Sequence, residues 1–162
     1  MSITGMNHAV LYVRDARRTA DFYMSVLGFT PVIQDEDGRF AFLRAPASEN
    51  HHDIAFFTIG AQAGDSKAGR ETVGLYHVAC EVPTLEDLAA MRERLSAAGA
   101  LVGSSDHGCN KSLYGVDPDG LEFEVMWLVP PHLWGELENA AIVAPLDIEG
   151  EIRRFAGAAD RA

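Results

Sequence analysis

An internal repeat constrains this chain more than any other feature. The segment Gly5-Met6-Asn7-His8-Ala9-Val10 has a counterpart in Gly74-Leu75-Tyr76-His77-Val78-Ala79, with the two histidines 69 residues apart. In the first half, the apolar run 6–13 is rich in branched residues and predicts a buried strand. Asp15 then caps a helix whose apolar stripe is Ala20, Phe22, Tyr23, Val26 and Leu27, and Gly28 ends it. Strands are predicted over 30–34, 40–44 and 53–59, with Asp37-Gly38 as the hairpin signal between the first two.

The second half repeats this order. A strand is predicted over 75–82, and Thr84 with Asp87 forms a capping box opening a helix that turns Leu88, Met91 and Leu95 one way and stops at Gly99. Strands follow over 101–105, 111–116 and 121–127, the last two joined by the turn Asp117-Pro118-Asp119-Gly120. The expected fold class is therefore α+β: two βαβββ modules, at about 5–60 and 73–129, joined by the polar stretch 60–72 and sharing one core. A C-terminal tail, 130–162, lies outside the repeat. Pro130-Pro131 ends the last strand, and Leu133 and Trp134 are expected to cover a pocket or a subunit contact.

Composition narrows the function. At 162 residues and 48% hydrophobic content, the chain is expected to form a single domain, 1–162, with a sizeable core. A formal charge of -11 opposes phosphate backbones, which excludes nucleic acid as a partner. No apolar run approaches the ~20 residues of a membrane span, and the polar start Met1-Ser2-Ile3-Thr4 is no secretory signal. The expectation is a cytoplasmic protein without a membrane partner. Cys80 and Cys109 are too few for a disulfide framework and read as reduced thiols.

The two histidines acquire chemistry through Glu124. Strand alternation puts Glu122, Glu124 and Met126 on one face, opposite Leu121, Phe123, Val125 and Trp127, and by itself does not separate the two glutamates. The repeat does: subtracting 69 from Glu124 gives Ala55, where a fourth, symmetry-related ligand would stand and where alanine cannot coordinate. Two imidazoles and one carboxylate leave coordination positions open, an arrangement suited to non-haem Fe(II).

A longer pattern supports the same glutamate. His107, five residues, Leu113-Tyr114, two residues, Asp117-Pro118, one residue, Gly120, three residues, Glu124 resembles the signature of type I extradiol ring-cleavage dioxygenases, within the vicinal oxygen chelate superfamily (glyoxalase, bleomycin resistance, extradiol dioxygenase). Ser105 departs from the residue usual two places before that histidine. His52-Asp53-Ile54-Ala55 resembles the family's His-Asp-Ile-Ala segment. The resemblance covers roughly 5–129.

It implies a half-open mixed β-barrel around a metal site. His8, His77 and Glu124 would be ligands of Fe(II), with Mn(II) the alternative ion. His52 would be an acid–base residue near bound O2, and His107 and Tyr114 would bond to substrate oxygens. The implied substrates are a catechol and O2, with ring opening beside the diol. Two-domain members carry a further pair of modules. This chain has one pair, so its pocket walls would come partly from the tail or a neighbouring subunit, and a homodimer is expected.

These residue types suit that chemistry. Open positions let two reactants meet on one metal, coordination lowers the pKa of a bound hydroxyl, and histidine titrates where a proton must be taken and returned. Lys111 is the only Lys or Arg near His107 in the chain, which favours a neutral catechol. The alternatives are another metal-dependent enzyme of the superfamily (a glyoxalase-like isomerase or a thiol transferase) and a metal-free binding protein that sequesters a ligand. His51 reads as an exposed loop residue, His132 receives no role, and Asp117 and Gly120 read as turn makers.

Overall fold

The computed structural model describes residues 2–69 and 71–156; Met1, Arg70 of the linker and 157–162 of the tail lie outside the described residues. The strands fall as the repeat requires. The first module runs β1 (Ala9–Val13), α1 (Ala16–Phe22), β2 (Thr30–Gln34), β3 (Phe40–Arg44) and β4 (Ile54–Thr58). The second runs β5 (Val78–Glu81), α2 (Leu85–Ala97), β6 (Leu101–Asp106), β7 (Asn110–Val116) and β8 (Glu122–Leu128). Each module makes one four-stranded mixed sheet, ordered β1-β4-β3-β2 and β5-β8-β7-β6, so the α+β class and the two βαβββ modules stand.

The repeat extends to strand register. In the parallel pair of the first sheet Val10 faces Ala55; adding 69 to both gives Ala79 and Glu124, which face each other in the second. Both sheets also carry an irregularity at the matching place, between Pro31 and Ile33 and between Leu101 and Gly103. Beyond it Phe42 faces Ala55 in one sheet as Tyr114 faces Glu124 in the other.

Local chemistry sets the element ends. The Asp15 carboxylate accepts from the N–H groups of Arg17 and Arg18, and after a π-helical turn, Tyr23–Leu27, Gly28 takes φ 83° and stops the helix. Thr84 Oγ1 accepts from the Asp87 N–H at 3.0 Å and donates to the Asp87 carboxylate at 2.7 Å, the capping box read from sequence. Leu85, Leu88, Met91 and Leu95 form the buried stripe of α2. Tyr23 packs against Phe29 and Phe56 in the first module, where Val13, Leu43 and Ile54 are also buried.

By contacts the chain divides into two compact units. One holds β1–β4 together with the turn Asp117–Leu121; the other holds β5–β8 and the C-terminal elements. The turn is more than a connection: within the first unit the Asp119 carboxylate accepts from both the backbone N–H and the guanidinium of Arg14, each at 2.9 Å.

Two differences from expectation matter. Strands were expected from residues 6 and 75, but pairing begins at Ala9 and Val78, so His8 and His77 each stand one residue ahead of a strand. The apolar side chains that prompted the longer strands, Met6, Leu75 and Tyr76, are exposed. The tail also contains an unanticipated helix, α3 (Ile148–Phe155), capped by Asp147. It packs on α2 through an Arg92–Glu149 ion pair at 2.7 Å, and its Phe155 meets Trp127 edge-on. The Trp134 indole donates to Val129 O, just past the end of β8, and Leu133 is exposed. Among the described residues no helix is long and apolar enough to cross a membrane.

Candidate functional site

Parallel pairing of β5 with β8 determines where Glu124 points. Glu124 lies opposite Ala79 in the interior of the sheet and is 6% exposed, whereas Glu122, two residues earlier on the same face, is exposed. His77, just ahead of β5, brings Nε2 to 2.9 Å from Glu124 Oε2. A carboxylate oxygen only accepts, so this contact places a proton on Nε2. The other carboxylate oxygen accepts from Asn110 Nδ2 at 3.4 Å. His77 Nδ1 is buried without a hydrogen-bond partner among the described residues. A divalent cation that replaced the Nε2 proton would meet an imidazole nitrogen and a buried carboxylate together, a mixed donor set that divalent metal ions accept.

The same sheet brings His107 to Tyr114. His107 lies in the connection between β6 and β7, with Nδ1 2.8 Å from Ile142 O and Nε2 2.7 Å from the Tyr114 hydroxyl. A carbonyl oxygen has no proton to give, so Nδ1 carries one; in the neutral ring Nε2 then accepts from Tyr114. The tail thus sets the tautomer of His107. Burial raises the Tyr114 pKa and the Glu124 charge adds to this, against a hydrogen bond with Ser112, so the hydroxyl keeps its proton.

Lys111 is occupied elsewhere. It is 1% exposed and its ammonium meets the Asp106 carboxylate, Glu151 at 3.0 Å and Gly108 O at 3.2 Å. Burial alone would raise the pKa of Asp106, but the hydrogen bonds from Lys111 and Gly108 outweigh it and leave the pKa lowered. This cluster fastens α3 to the β6–β7 hairpin, so Lys111 is a structural lock and not a free anchor for a substrate carboxylate.

In the first unit His8 and His52 stand together, ring centroids 4.5 Å apart, and His52 stacks on Phe42 at 5.0 Å. Burial lowers the pKa of His52, as does the proximity of His8 and His51, while Asp53 opposes the shift. Phe40, Phe42 and Phe57 form an aromatic cluster beside it. His51 is exposed, as is His132. Ala55, the position equivalent to Glu124, is fully buried.

The structure therefore joins His77 to Glu124, His107 to Tyr114, and His8 to His52. Among the described residues, no three His, Cys, Asp or Glu side chains form a metal-binding group within either unit. Sequence reasoning missed Asn110 and the Ile142 carbonyl: the first is one polar residue among several near a turn, and a backbone acceptor leaves no mark in sequence.

Residues 5–125 match the family described as the Glyoxalase/Bleomycin resistance protein/Dioxygenase superfamily. The chain belongs to this superfamily. Among relatives within it, catechol-2,3-dioxygenase of Bacillus subtilis (strain 168) is 29% identical over 150 residues, covering 91% of this chain and 50% of the relative. The chain thus spans half the length of that protein. Lactoylglutathione lyase of Pseudomonas aeruginosa is 30% identical over 144 residues, covering 74% of this chain and 80% of the lyase. The crystal structure of a glyoxylase/bleomycin resistance protein/dioxygenase domain from Frankia sp. EAN1pec shares the fold, with a TM-score of 0.66 at 23% identity over 83% of this chain and 99% of that one.

Proposed function

We propose that the protein is an Fe(II)-dependent extradiol dioxygenase that opens a catechol-type ring with O2. The observation that carries this reading is the contact of His77 Nε2 with the buried Glu124 carboxylate, on the same sheet as the hydrogen-bonded pair His107–Tyr114. The match to the Bacillus subtilis catechol-2,3-dioxygenase over most of the chain supports it.

In this reading His8, His77 and Glu124 hold the ion. Bound Fe(II) would supply a place where diol and O2 meet and would acidify the diol hydroxyls. Tyr114, kept protonated by burial and the nearby carboxylate, gives its proton to His107 Nε2 and accepts a hydrogen bond from the substrate diol on its hydroxyl oxygen. His107 Nε2 orients that hydroxyl and accepts its proton if it is released. His52, held toward its neutral form, takes the proton of a diol hydroxyl and later returns it. With Lys111 bound to two carboxylates, the cation nearest His107 in the sequence is not free to hold a substrate carboxylate, which supports a neutral catechol.

The similarity to lactoylglutathione lyase favours a second reading, a metal-dependent isomerase acting on a thiol-derived 2-oxo substrate. Alanine at position 55, where a fourth ligand would stand, counts against it. The test is to incubate reduced, iron-loaded protein with simple, biphenyl-type and fused-ring catechols while recording O2. O2 uptake with a yellow ring-fission product is expected. Turnover of a thiol-derived substrate with Ni, Co or Zn and no O2 uptake would select the isomerase.

A further inference from the structure

His8 stands exposed, one residue before β1 begins, so packing does little to hold its ring. A chain of hydrogen bonds within the first unit does so instead, and its direction can be deduced. The Asp53 carboxylate accepts from Ser48 Oγ at 2.7 Å, Asn50 Nδ2 at 2.8 Å and the Ala45 N–H at 2.8 Å. The second hydrogen on Asn50 Nδ2 goes to Asn7 O at 3.0 Å. Both of these acceptors lack a proton to donate, so the Asn50 amide has one allowed orientation, with Oδ1 toward Asn7. Asn7 Nδ2 donates to that oxygen at 2.9 Å. The Asn7 amide is thereby oriented in turn, and the atom it presents to His8 Nδ1, at 2.9 Å, is its oxygen. His8 Nδ1 must carry the proton, and Nε2 keeps its lone pair.

We propose that Asn7, Asn50 and Asp53 are positioning residues that hold His8 in the Nδ1–H tautomer and so present Nε2 as its metal donor. The metal half of this proposal rests on the reading of His8 as a ligand; the tautomer half does not. The logic is that of an outer-shell acceptor which fixes the tautomer and orientation of a ligating imidazole, with an acidic residue at its origin. It also gives Asp53, the residue after His52, a task of its own: two amides oriented in series carry its acceptor character to a ring just ahead of β1.

Nitrogen-15 NMR of the metal-free full chain at about pH 8.5, where imidazoles are neutral, reads the tautomer directly. Wild type is expected to show His8 Nδ1 protonated and Nε2 bare. Asn7→Ala and Asn50→Ala are expected to give the averaged ring shifts of an imidazole exchanging between tautomers. Asn7→Asp still offers His8 an oxygen and is expected to keep Nδ1–H, a rescue that a general packing role would not produce. Asn7 is exposed, so its variants test the hydrogen bond and not the core. Anaerobic Fe(II) titration by calorimetry should then show affinity falling about 10–100-fold in Asn7→Ala and much less in Asn7→Asp. An Nε2–H or averaged His8 in wild type, or an unchanged tautomer in Asn7→Ala, would overturn the proposal. If His8→Ala binds Fe(II) as tightly as wild type, the ligand assignment fails, and the nitrogen shifts still decide the relay.

Discussion

Glu122 and Glu124 point the same way from one strand and have different fates. Glu122 sits at the start of β8 in solvent, while Glu124 lies between Ala79 and Tyr114 in neighbouring strands, with His77 against one oxygen. Glu124→Gln keeps the shape and an acceptor for His77 Nε2 but removes the charge that would neutralise a divalent ion. We expect its Fe(II) affinity to fall at least about tenfold by calorimetry, while Glu122→Gln binds as wild type does. Tyr114→Phe leaves His107 Nε2 without its donor and removes the oxygen that would accept from the substrate diol. Its kcat in O2 uptake should drop about 100-fold, with the His107 tautomer unchanged because Ile142 O sets it. At this scale the sequence was legible wherever the repeat or the spacing of a motif tied two residues together, as for Glu124 with Ala55 and His107 with Tyr114. It was silent on partners that are backbone atoms or neutral amides, such as Ile142 O, Asn7 and Asn50.

The elements that carry these residues depend on a few tight contacts. Gly115 in β7 faces Phe123 in β8, and a Cβ there would stand 2.4 Å from the phenyl ring. Gly115→Ala is expected to cost about 1–3 kcal/mol in urea unfolding, because the ring must leave its place. Lys111 joins Asp106 to Glu151 from a buried position, so Lys111→Met should destabilise by about 3 kcal/mol, leaving two half-buried carboxylates facing each other. The pH dependence has a definite sign. The lowered pKa of folded Asp106 means that its contribution is complete above the unfolded value near about 4 and is lost as pH falls through the folded one. Acidification below about 4 should therefore weaken the tie of Asp106 to Lys111, seen as a change in Trp127 fluorescence, since Trp127 faces Lys111 across the β7–β8 pair. The shift should be smaller in Lys111→Met. The α3 cap and stripe, Asp147 with Ile148, Ile152 and Phe155, are present in the sequence, but a helix of eight residues does not form on its own in water, and it exists because α2 is there to pack against.

At the scale of the whole molecule, the reading that one ion binds His8, His77 and Glu124 makes metal and stability one measurement. Free Fe(II) at about 100 times its Kd should stabilise the folded chain by about 2.7 kcal/mol, visible as a Tm that falls when a chelator is added under anaerobic conditions. His8→Ala, His77→Ala and Glu124→Ala should each remove that increment while leaving the metal-free Tm close to wild type for exposed His8.

What the sequence by itself determined is the duplicated order of elements, the caps at Asp15 and Thr84, the hairpin at Asp37-Gly38 and the equivalence of Ala55 with Glu124. Those signals act over a few residues or recur at one offset, so they need no knowledge of distant neighbours. Only the tertiary structure decided that pairing starts just after His8 and His77, that Lys111 is locked under α3, and which nitrogen of His8, His77 and His107 holds its proton. A strand begins where a partner strand can reach it, and a ring proton goes to whichever acceptor the fold sets beside it; the acceptors of His77 and His107 are distant in sequence, and Asn7, the acceptor of His8, is itself oriented by distant Asn50.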